Sequence, residues 1–63
     1  MSDSGELDEI VQKVLDANPK PVEDVKNGEM KAIGFLVGQV MKESQGKANP
    51  GLAKEIITKN LGV

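Results

Sequence analysis

The sequence predicts an all-α fold, a single small array of three main helices plus one short helix. Three observations carry that expectation. Apolar residues recur at helical spacing in separate segments, and no alternating strand pattern occurs. The breaks between segments are Asn-Pro and Asn-Gly pairs and a Gly-Lys loop, all stop or restart signals for helices. The links left over are short, a handful of residues each, which leaves room only for a compact helical array.

The first helix is announced by Leu7, Ile10, Val11, Val14 and Leu15, one apolar stripe, with Asp8, Glu9, Gln12, Lys13 and Asp16 facing water. Asp3 or Ser4 can cap it, and the acids of its first turn suit the helix dipole. Asn18-Pro19 ends it, because the residue before proline is pushed out of the helical region. Lys20-Pro21 reopens the chain, with Pro21 expected at the first helical position. Val22 and Val25 then pair before Asn27-Gly28 stops this short helix. From Glu29 to about Ser44 runs the third helix. At about 100° per residue its Met30, Ile33, Leu36, Val37, Val40 and Met41 share an arc roughly 140° wide, the expected core face. Gly46 breaks it. Asn49-Pro50 restarts the chain as an N-cap followed by proline at the first helical position. Leu52, Ala53, Ile56, Ile57 and Leu61 form the inner face of the last helix, and Gly62 ends it. Residues 1–6 are expected as a flexible lead and residues 7–61 as one domain.

With 63 residues and no cysteine or histidine, the chain has neither a disulfide framework nor a zinc site of the usual Cys/His kind. A cysteine-free composition fits a reducing, cytoplasmic setting. No apolar run approaches the roughly 20 residues that span a bilayer, so no membrane partner is expected. Phe35 is the single aromatic, so the core must be aliphatic and stability modest, about 3–5 kcal/mol. The net charge is −2, but it is unevenly laid out. Residues 1–29 hold eight acids against three lysines, whereas residues 30–63 hold five lysines against two acids. Halves of opposite sign point to a partner for the second one, or to chance in a short chain.

The face of the third helix opposite Ile33 and Val40 carries Lys31, Gly34, Phe35, Gly38 and Lys42. Each interior glycine costs roughly 0.5–1 kcal/mol relative to alanine. Three readings account for that cost. Small residues four apart let another helix of the chain approach closely. A bare backbone stripe beside lysines lets a phosphate chain lie against it. A partner protein could use the same trough. The loop "QGKANPG" puts Gly46 and Lys47 just before a helix N-terminus, where anions are attracted, although it lacks the glycine spacing and Lys-Ser/Thr pair of a phosphate-cradling P-loop. As a bare motif it is weak, and an ordinary turn with a solvated lysine explains it better. Catalysis has no footing here. The acids are scattered over wet helix faces, and Ser44 and Thr58 have no base near them in sequence. No catalytic residue, metal site or cofactor is expected.

The string "GFLVGQVMKESQGKANP", preceded by "NPKPVEDVKNGEMKAI", resembles the C-terminal tail domain of the GatB subunit of aspartyl/glutamyl-tRNA amidotransferase, the GatB/YqeY-type domain. Asn18-Pro19, Val22, Asp24, Gly28, Phe35 to Lys42 and Gly46 to Pro50 match its pattern in order, and the likeness covers residues 7–61. It departs at Val25, where the family often has tyrosine, and at Gln45, where a basic residue is common. The resemblance implies a helical tRNA-binding appendage, monomeric when isolated and cut from a longer protein. The parent complex converts misacylated Glu-tRNA(Gln) or Asp-tRNA(Asn) to the amidated form with ATP and glutamine. By that likeness the active sites and the contacts to other subunits lie in the missing part of the GatB protein. Lys31, Gly34, Phe35, Gly38, Lys42, Gly46, Lys47 and Asn49 are then the expected RNA contacts. A protein-interaction module docking another subunit is the rival reading.

Overall fold

The computed structural model describes residues 4–63. Four helices follow one another: α1 (Ser4–Ala17), α2 (Pro19–Lys26), α3 (Lys31–Glu43) and α4 (Pro50–Leu61). The all-α expectation holds, and among the described residues there is no strand. The cap expected from Asp3 or the Ser4 side chain lies outside the described residues.

α1 ends where Asn-Pro said it would, and the asparagine does more than interrupt. The Asn18 amide Nδ2 donates to the Val14 carbonyl at 2.8 Å, satisfying an acceptor that the last turn leaves open. α2 begins at Pro19, two residues before the expected start. A proline costs nothing in a first turn whose N–H groups have no helical partner, so Pro19 and Pro21 are both accommodated there. Asn27 and Gly28 then close α2. Gly28 takes φ +100, and the amides of Gly28 and Glu29 reach back to the Val25 and Asp24 carbonyls at 3.0 and 2.8 Å. This is the paired return of a Schellman ending, which requires a left-handed residue at that point.

α3 is the central element and packs against all three other helices. Leu36, Val40 and Ile33 on α3 meet Leu7, Val11 and Val14 of α1, Val25 of α2, and Ala53 and Ile57 of α4 in one aliphatic core. Ala48, in the loop before α4, joins it. Val37 and Met41 are partly buried at the edge of the arc. Two expected core residues are not in the core. Met30 is 55% exposed and Leu52 41%. Met30 caps α3 from outside the helix at the border of the arc, and Leu52 faces away from Ala53 and Ile57 on the first turn of α4. Val25, one of the two positions expected to depart from the family pattern, is 1% exposed and packs in the core. The radius of gyration is 10.5 Å, within the roughly 10–11 Å of a fully folded chain this long.

Candidate functional site

The third-helix face divides into parts with different surroundings. Gly34 and Gly38 are both exposed, and a Cβ built on either would meet nothing within 4 Å. No described helix of this chain therefore uses the glycines for close approach, which removes the first of the three readings. Lys42 is exposed one turn beyond Gly38, so the two share a surface.

Lys31 and Phe35 belong elsewhere. They line a shallow depression of about 290 Å³ with Pro21, Asp24, Glu29 and Ala32. Phe35 is 48% exposed. Two carboxylates beside Lys31 offset its field and oppose a phosphate at that end. Gly34 opens on a third surface, a groove of about 440 Å³ between α3 and the first turn of α4, lined by Met30, Ile33, Val37, Pro50, Gly51 and Lys54. The continuous strip suggested by the helical wheel is thus split by the neighbours on either side: α2 at Phe35 and α4 at Gly34.

The loop from Ser44 to Asn49 is built to hold a fixed shape. Gln45 has φ +58 and Gly46 φ +78. Their amides return to the Lys42 and Met41 carbonyls at 3.1 and 2.8 Å, a second Schellman ending. Here the left-handed position that usually takes glycine is filled by Gln45. Ser44 is 5% exposed. Its hydroxyl donates to the Met41 carbonyl and accepts from the buried Ala48 amide, both at 3.1 Å. Nothing in the residue pattern hints at this pin, because a serine near a helix end is ordinarily just a solvated hydroxyl. Lys47 stands exposed at the outer side of the loop.

Asn49 performs the capping role expected of it. Its Oδ1 accepts from the Gly51 and Leu52 amides at 2.9 and 3.3 Å, and its carbonyl accepts from Ala53 at 2.9 Å. Pro50 has no N–H. The first turn of α4 consequently offers no open backbone donors, and an anion near Gly46 and Lys47 would have to rely on side chains. The free N–H groups expected at this helix start are thus taken up by the cap.

A depression of about 780 Å³ lies between α1 and α4 and is lined by Asp8, Gln12, Leu52, Glu55, Ile56, Lys59 and Asn60. Gln12 Nε2 donates to Asn60 Oδ1 across it at 2.7 Å. Its lining mixes both charges and holds no hydroxyl, thiol or imidazole side chain. Among the described residues no three His, Cys, Asp or Glu side chains are grouped to hold a metal, and no helix is long and apolar enough to cross a membrane.

Comparison with known proteins places the chain in a family. The model of the GatB domain matches residues 1–61. The aspartyl/glutamyl-tRNA(Asn/Gln) amidotransferase GatB subunit of Caldanaerobacter subterraneus subsp. tengcongensis is 57% identical over 97% of this chain, and that of Geobacillus kaustophilus 55% over 98%. That of Lactobacillus acidophilus is 51% identical over 97%. In each case the match spans 13% of the relative's own length. No solved structure matches the chain. By the family match over almost every residue, and by these identities, the chain belongs to the GatB domain family.

Proposed function

We propose that this chain is the tRNA-binding tail of an aspartyl/glutamyl-tRNA amidotransferase GatB subunit, contacting the body of the tRNA while the chemistry proceeds elsewhere in the enzyme. The observation that carries the reading is Gly38. It is exposed, and a Cβ there would meet nothing within 4 Å. One helical turn later comes an exposed lysine, Lys42, and a second, Lys47, follows in a loop pinned by Ser44. Bare backbone one turn from a lysine suits a phosphate chain, where the lysine acts as a point charge and the missing side chain permits approach. The relatives' names, which include tRNA, supply the class of nucleic acid.

The contact centres on Gly38, Lys42, Gly46 and Lys47. Lys31, Phe35 and Gly34 lie at its margin, and Asn49 supports it by fixing the start of α4. Recognition is of shape and backbone, with no base code in the protein. With a net charge of −2 and few lysines, the isolated chain binds weakly, at about 10⁻⁴–10⁻⁶ M.

Titration of the ¹⁵N-labelled chain with whole tRNA tests this. The Gly38, Lys42, Gly46 and Lys47 amides shift, and those around Asp8 and Asp16 do not. Gly38→Gln weakens binding without unfolding the chain, since its side chain has open space. Lys42→Ala flattens the dependence of affinity on salt by about one unit. Unchanged binding in both variants would sink the reading.

A further inference from the structure

The groove between α3 and the first turn of α4 lies outside the centre of the proposed tRNA contact and meets its margin only at Gly34. Met30, Ile33, Gly34, Val37, Pro50 and Gly51 line it with carbon, and Lys54 supplies its charge. Met30 is 55% exposed at a position whose spacing belongs with the core. Gly34 leaves the α3 backbone bare, so an incoming element could lie directly against it. A phosphate finds little here. The Gly51 and Leu52 amides are already bonded to Asn49 Oδ1, and the remaining wall is apolar.

A protein helix fits where RNA does not. Its apolar side chains would cover Met30, Val37 and Pro50, its backbone would approach Gly34, and a carboxylate would meet Lys54, in the helix-in-groove mode of recognition. We infer that this groove seats an amphipathic, acid-flanked helix from the body of the amidotransferase itself. The domain would then be held against the enzyme while its Gly38–Lys42 side remains open to RNA. The inference rests on the amidotransferase reading. In the relatives the matching segment is 13% of the length, so most of the protein lies outside it and can supply the helix. A partner on the same protein needs little intrinsic affinity, because tethering makes its binding intramolecular.

The test grafts this chain onto the Geobacillus kaustophilus GatB protein in place of that protein's own matching segment, with methionine methyl groups ¹³C-labelled. Spectra of the assembled, tRNA-free enzyme are compared with those of the free chain. Docking moves the Met30 methyl signal and broadens it to the tumbling of the whole complex, while the partly buried Met41 methyl keeps its shift. Lys54→Glu reduces the docked fraction about fivefold, and Gly34→Gln abolishes docking; circular dichroism of the free variants confirms that both remain folded. A Met30 methyl that keeps its free-chain shift and width in the enzyme overturns the inference. So does a Met30 signal that moves only when tRNA is added, which would make the groove an RNA surface. The two readings fail separately: a free Met30 methyl with a tRNA-responsive Lys42 leaves the tRNA reading standing, and a docked Met30 methyl with a silent Lys42 leaves only the docking.

Discussion

Gly38 and Ser44 represent the two ways a single residue matters in this chain. Gly38 contributes nothing that folding needs, because no atom outside its own helix backbone and chain neighbours lies within 4 Å of where its Cβ would be. Gly38→Ala should therefore stabilise the chain by about 0.5–1 kcal/mol, the ordinary helical advantage of alanine. A melting temperature that falls would show that some neighbour does depend on the glycine. Ser44 is the opposite case. Its hydroxyl is the acceptor for the buried Ala48 amide, and Ser44→Ala strands that donor at a cost of about 1–3 kcal/mol. Urea unfolding measures it, and a loss under about 0.5 kcal/mol, below that range, would mean that water replaces the hydroxyl without penalty.

Helix endings decide how the elements are joined. Left-handed residues at Gly28, Gln45 and Gly62 each let two amides return to the preceding turn. Glycine accepts that conformation freely, whereas glutamine is strained by about 1–2 kcal/mol. Gln45→Gly should accordingly raise stability by about 0.5–1 kcal/mol after the greater freedom of the unfolded glycine is subtracted. The expected reading is a small upward shift in melting temperature, and a downward one would show that the Gln45 side chain makes a compensating contact.

Over the whole molecule, the core is a thin aliphatic layer around α3, and Leu36 is fully enclosed within it. Leu36→Ala removes about 2–5 kcal/mol, comparable with the entire stability of about 3–5 kcal/mol expected for so small a core. The variant should lose most of its helical circular dichroism at about 37 °C, a temperature at which so small a margin is exhausted. Retention of a cooperative melt near that of the parent would show that the core is more redundant than its size suggests.

The fold is legible in the sequence because it is written in local terms. The stripe from Leu7 to Leu15, the proline after Asn18, Gly28 and the Asn49-Pro50 restart each act within a turn or two, so their effect can be read along the chain. Sequence reading starts α2 two residues late only because either proline suits a first turn. Met30 and Leu52 could not be placed this way, since spacing records that a residue lies near a stripe but not where the neighbouring helix stops covering it. The site is legible in composition and not in layout. A helical wheel puts Lys31, Gly34, Phe35, Gly38 and Lys42 on one face. Only the packing of α2 and α4 against α3 separates them into an acid-flanked depression, a carbon-lined groove and an open lysine-bearing surface. Charge and exposure at a point depend on every element that reaches it, and that sum exists only in the folded chain.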